Sequence, residues 1–143
     1  MEPLFSLTAL TTAAFMAGVL WLVQIVHYPL LGAVSDDEVT DIALRHQTLI
    51  SRVVGPVMIL EALSSGLILV AGPADSKIAG FIGLALLSVA IVVTVFRAVP
   101  LHARIARGQS HVIPDLIRIN WIRTVAWTLR IPIGALVVHQ SLS

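Results

Sequence analysis

The sequence predicts an all-α protein, a four-helix transmembrane bundle of up-down-up-down topology. Three observations lead there. Of the 143 residues, 57% are apolar and 12% charged, about half the ~25% charge of an ordinary soluble domain; mean hydropathy is +0.96. The apolar residues fall in four runs, at about 4–31, 49–71, 78–99 and 115–138, each long enough to cross a hydrocarbon core of ~30 Å. The connections are short, which favours antiparallel neighbours. A single integral membrane domain, 1–143, takes in all four runs.

The first run is interrupted mainly by threonines, then by Gln24 and His27. It exceeds the ~7–15 apolar residues of a signal-peptide core, and Glu2 stands where a basic residue would be expected, so a membrane helix is the better reading. Ala13, Ala14, Ala17 and Gly18 are small enough for close helix approach. Tyr28-Pro29 reads as an interfacial anchor and a helix end. Residues 35–41 read as an acidic connection that caps an amphipathic lead-in through Arg45, His46 and Gln47.

The second run carries Arg52, Glu61 and a Gly55-Pro56 pair expected to kink it; Ala62 and Gly66 add a small-xxx-small pair. Residues 72–77 form a turn rich in breakers. The third run is polar only at Ser88 and Thr94 until Arg97 and Pro100. A basic connection with His102, Arg104, Arg107 and Gly108 follows. Pro114 suits the first turn of the last helix, and Pro132 is tolerable inside a membrane helix. No internal repeat is evident.

The basic residues are asymmetric. Arg45, Arg52, Arg97, Arg104, Arg107, Arg118 and Arg123 belong to one side of such a bundle, and Lys77 to the other. Positive charge favours the cytoplasm, so both termini are expected outside, in a bacterial inner membrane. That topology brings Gln24, His27, His46, Gln47, Arg97, His102, Asn120 and Arg123 into the same half of the bundle. Asn120, Arg123, Trp127 and Arg130 also share one face of the last helix. Hydrocarbon does not solvate a guanidinium, so this face must meet protein, a cavity or a ligand. Glu61 and Arg130 lie at matching depth when residues are counted in at ~1.5 Å each, and are expected to pair.

The chemistry stays open at this point. His27 fits a core histidine bonded to Gln24 or Asn120, a metal or haem ligand, or a proton carrier. His46 and His102 fit solvated helix ends; together with His27 they fit a histidine-rich copper, iron or zinc site, and His27 with His102 fits a haem. Trp127 fits packing or the flank of an aromatic ligand. The chain has no cysteine, which excludes disulfides and thiolate sites. It has no phosphate loop and no pattern for nucleic-acid binding. The lipid bilayer, a lipophilic small molecule and further copies of the chain are the expected partners.

Three stretches resemble a family: W-L-V-Q-I-V-H-Y-P-L from Trp21, P-L-H-A-R-I-A-R-G from Pro100, and N-W-I-R-T-V-A-W-T-L-R from Asn120. They look like the small bacterial four-span proteins grouped with the anthrone-oxygenase-like family, most of which have no assigned function. Fungal members of that broad group are associated with oxidising anthrones to anthraquinones without a conventional cofactor. The resemblance implies a hydrophobic aromatic substrate entering from lipid and O2 as oxidant, with His27, Asn120 and Arg123 as the matching catalytic positions. The physical reading adds Gln24, Glu61, Arg97, Trp127 and Arg130 as substrate-binding candidates. The expectation is a membrane-embedded oxidoreductase with copper, iron, haem or no cofactor. The alternative is a non-catalytic ligand-binding, haem- or metal-binding, or small transporter-type protein.

Overall fold

Four helical rods make up the chain in the computed structural model, which describes residues 2–143. They run Pro3–Gly32, Asp36–Ala71, Ala74–Ile105 and Ser110–Leu142, each long and apolar enough to cross a membrane. They are called spans one to four below. They alternate in direction as expected, with connections of only a few residues, at 33–35, 72–73 and 106–109.

The rods are longer than the apolar runs because the polar stretches are helical too. The acidic stretch does not connect two helices; it begins one. Ser35 adopts the extended N-cap conformation, and Asp36, Asp37 and Glu38 fill the first turn, where carboxylates face the positive end of the helix dipole. At ~1.5 Å per residue the α-helix Asp36–Ala71, 36 residues long, reaches ~54 Å. Its polar first turns, with an exposed Asp41–Arg45 ion pair at 2.9 Å, extend the basic end of the bundle. Pro114 lies in the first turn of the last α-helix, Ile113–Leu142, as the sequence predicts. Gly108, at φ +84°, closes the basic turn: its N–H bonds Ile105 O, and that of Gln109 bonds Arg104 O.

Pro29 does not end its helix, nor does Pro100. Each follows a five-residue π-helical turn, Val23–His27 and Thr94–Ala98. A proline has no N–H, and its ring collides with the carbonyl four residues back. Widening the preceding turn removes the collision while the rod continues, and such turns are frequent at functional sites. The motif thus recurs in spans one and three, a repeat the sequence did not reveal. Pro56 and Pro132 sit inside continuous α-helices instead.

Span four packs extensively on spans one and three, and span one also on span two; the contact between spans two and three is the least extensive side of the bundle. Those two are pinned at the end far from the arginines, where a Cβ on Gly80 would stand 2.9 Å from Ile68 Cγ2. The core forms three tiers. At the basic end Val23, Tyr28, Leu31, Ala98, Leu101 and Leu116 pack together. Met16, Leu20, Leu87, Ala90 and Trp127 fill the middle, and Ala9, Ile68, Ala79 and Val137 the far end. Of the small residues in span one, Ala13 and Ala17 are buried in the bundle, whereas Ala14 and Gly18 face outward. Gly66 meets nothing either: a Cβ there would have no neighbour within 4 Å.

Candidate functional site

Two polar groups built on span four differ in how completely they are satisfied. The first is the pair expected from depth. Arg130 Nε meets Glu61 Oε1 at 2.8 Å, with exposures of 4% and 0%. Trp127 Nε1 donates to Glu61 Oε2 at 2.9 Å. Arg130 also donates to Ser65 Oγ at 3.0 Å and to the Gly83 carbonyl. Both carboxylate oxygens and all three guanidinium nitrogens are used. Glu61, Trp127 and Arg130 are therefore a network tying spans two, three and four together, in which the charges meet each other and every nitrogen has a protein partner.

The second group lies seven residues earlier on the same face. Asn120 Nδ2 donates to Gln24 Oε1 at 2.8 Å, and Gln24 Nε2 to the Ile117 carbonyl at 3.3 Å. Arg123 Nη1 donates to Asn120 Oδ1 at 3.0 Å. The amides thus lock each other and aim Arg123. The guanidinium carbon sits 5.9 Å from the Trp127 ring centroid, and Arg123 also interacts with the Tyr28 phenol. Its Nε is buried without a partner. Among the described residues no carboxylate pairs with it.

Beside Arg123 the three candidate histidines come together from spans one, two and three. The His27 and His46 rings stack at 3.8 Å, 21° apart, and His46 lies 5.7 Å from His102. Tyr28 joins them: its hydroxyl and His102 Nε2 are hydrogen-bonded at 3.0 Å. The hydroxyl donates when Nε2 bears no proton and accepts when it does, so the couple can pass a proton either way. His102 Nδ1 and His27 Nε2 are buried without partners.

These groups close one end of a chamber of about 250 Å³. Tyr28, His46, Gln47, His102 and Arg123 line its polar end, and Val19, Leu20, Val23, Val54 and Met58 its apolar body. Ser51 and Val99, which also line it, are exposed on spans two and three. The chamber therefore opens sideways, on the loosest side of the bundle. Behind it an outer groove is lined by His27, Arg45, His46 and Leu49, so His46 forms the wall between the two spaces.

Several expectations are corrected by this geometry. His27 is not bonded to Gln24 or Asn120, because those amides bond each other; it backs His46 and does not line the chamber. His102 is a buried residue of the site, 9% exposed, and no solvated end. Arg97 is exposed and outside the site, one residue off the inward line through Ala90, Ala98 and Leu101. Trp127 serves Glu61, and Gln24 serves Asn120, so neither presents a free group to a substrate. The reading of the sequence missed Tyr28, taken for an interfacial anchor. Its spacing of four from Gln24 places both on one inward face.

The three histidines also bear on copper, iron or haem. Their lone pairs lie in the ring planes. Two rings stacked 3.8 Å apart and nearly parallel send those lone pairs side by side, and the third histidine's Nε2 is engaged with Tyr28. Among the described residues no group of three or more His, Cys, Asp or Glu is arranged to hold a metal ion. The arrangement suits proton exchange better than coordination.

No protein-family model matches this chain, and no curated protein or solved structure matches it either.

Proposed function

We propose that the chain is a membrane-embedded oxidoreductase of oxygenase type, acting on a lipophilic, aromatic substrate held in the chamber. What supports this most directly is one juxtaposition. A proton-transferring couple, Tyr28 with His102, and a buried guanidinium with no counter-ion among the described residues, Arg123, meet at the polar end of a mostly apolar cavity. Such a site can take a proton from a weakly acidic C–H or O–H. It can then hold the resulting oxyanion, where low polarity makes each interaction count for more. For an anthrone-like substrate the balance is one methylene plus one dioxygen giving one ketone plus one water. Loss of the proton gives a stabilised carbanion. Dioxygen adds to that carbon and, with a proton returned, forms a hydroperoxide. Loss of water from the hydroperoxide takes the second methylene hydrogen, breaks the O–O bond and leaves the ketone. The carbon is oxidised and O2 is reduced. Both substrate and O2 dissolve in lipid and can enter from the side.

In this reading Arg123 stabilises charge, Tyr28 and His102 move the proton, and Asn120 with Gln24 positions Arg123. His27 and His46 offer a route for the proton toward the outer groove. The resemblance to the anthrone-oxygenase-like family implies the same chemistry, with His27, Asn120 and Arg123 as its matching positions. The arginine-rich end is proposed to face the cytoplasm of a bacterial inner membrane, with both termini outside.

The test is O2 uptake by detergent-purified protein given a hydroxyanthrone, with quinone absorbance followed in parallel and the micelle-only rate subtracted. We expect protein-dependent turnover that is lost in Tyr28→Phe, His102→Gln and Arg123→Gln and kept in Arg97→Gln. A rate equal to that of empty micelles would overturn the oxygenase reading. Binding without turnover would make the chain a ligand-binding or transporter-type protein.

A further inference from the structure

We infer that the chamber selects amphiphiles carrying a single acidic oxygen group, binds them as the monoanion on Arg123, and admits them sideways between spans two and three. The inference rests on the proposed role of the chamber and names the class of molecule it takes.

Two arginines of span four carry it by their contrast. Arg130 and Arg123 stand on one face of one helix and are similarly buried, at 4% and 7% exposure. Arg130 has a carboxylate and every nitrogen bonded. Arg123 has one neutral amide oxygen, the Trp127 ring, the Tyr28 phenol and an orphaned Nε. None of those partners bears the full negative charge that Glu61 brings to Arg130. The deficit falls at the chamber wall, so an anion inside the chamber is what would offset it.

The charge and shape of that anion follow. Arg123 is the only Lys or Arg among the described residues lining the chamber, which matches one negative charge. The remaining lining is mostly aliphatic, which matches an apolar body. The chamber volume is about 250 Å³, well above the ~150 Å³ of an apolar cavity that takes up one benzene. That suits a body of two or three rings or a short chain and not a two-chain lipid. The way in is where Ser51 and Val99 rim the chamber and spans two and three are least packed. The Gly80–Ile68 contact pins the far end of those spans and leaves this end to open.

The experiment is titration calorimetry on the full chain in dodecyl maltoside at neutral pH, with protein-free micelles as blank. The probes are 2-naphthoate, its neutral near-isostere 2-naphthamide, and the dianion 2,3-naphthalenedicarboxylate. We expect 2-naphthoate to bind at least tenfold more tightly than either of the others. Arg123→Gln should bring 2-naphthoate down to the affinity of 2-naphthamide, and Arg97→Gln should leave the preference as it is. Should Arg123→Gln not fold, Arg123→Lys serves: the charge stays, so the preference should persist with weaker binding. Equal affinity for acid and amide, or a preference that survives Arg123→Gln, would overturn the inference and leave the chamber reading intact. If no probe binds above the micelle blank, the chamber reading fails and this inference with it.

Discussion

The Glu61–Arg130 network in the far half of the bundle makes the sharpest energetic prediction. Glu61 and Arg130 are each other's counter-charge at 0% and 4% exposure. Glu61→Leu removes the carboxylate, which strands a guanidinium away from water. Arg130→Met strands a carboxylate that keeps only the Trp127 donor. Removing one partner of a buried pair costs about 3–5 kcal/mol, so the two costs would sum to about 6–10 kcal/mol if they were independent. In the double variant Glu61→Leu/Arg130→Met no charge is buried at this site. Its main loss is the acceptor for Trp127 Nε1, and an orphaned buried donor costs about 1–3 kcal/mol. The expected coupling is therefore at least ~3 kcal/mol. Equilibrium unfolding of the four proteins in mixed detergent–dodecyl sulfate micelles, followed by tryptophan fluorescence, measures it as a double-mutant cycle. Singles within ~1 kcal/mol of the parent, or a double variant as unstable as the sum, would refute the assignment of this pair to structure. So would single variants that keep their stability and lose ligand binding.

Further predictions concern the chamber. Tyr28→Phe leaves His102 Nε2 without its partner and should destabilise the protein by about 1–3 kcal/mol, with turnover falling far more than ligand affinity in parallel calorimetry and O2-uptake assays. Asn120→Leu frees both Gln24 and Arg123; anion affinity should fall tenfold or more while far-UV circular dichroism remains helical. Gly55→Leu should fold normally, because a Cβ there meets nothing within 4 Å. It should also block the chamber Gly55 lines, abolishing 2-naphthoate and 2-naphthamide binding together. Pro100→Ala permits an ordinary α turn. Rotation of His102 away from Tyr28 should then appear as loss of turnover without loss of thermal stability.

The bundle was legible because hydropathy and connection length leave little choice. The Glu61–Arg130 pair was legible too, since counting residues along antiparallel helices fixes relative depth. Depth also brought His27, His46 and His102 into one region. Azimuth was the weak point. A π turn alters how residues advance around a helix, and two such turns fall just before the site residues of spans one and three. Tyr28 looked like a belt residue because a proline follows it, although its spacing from Gln24 points inward, and Arg97 was placed by depth alone, although it faces outward. Trp127 shows a second limit: its face was correctly read as polar, yet periodicity does not say whether a buried indole serves a ligand or a neighbouring carboxylate. The helices that carry spans two and three also run well past the apolar residues, from Asp36 and to Ile105.

Anomalous diffraction from crystals soaked with 6-bromo-2-naphthoate would locate a ligand without reference to activity. A chamber that binds monoanions on Arg123 predicts a bromine peak among Val19, Val54 and Met58, with the carboxylate on Arg123 beside Tyr28 and His102. A peak confined to the lipid-facing surface, or a carboxylate held by Arg45 or Arg97 with the chamber empty, would contradict it.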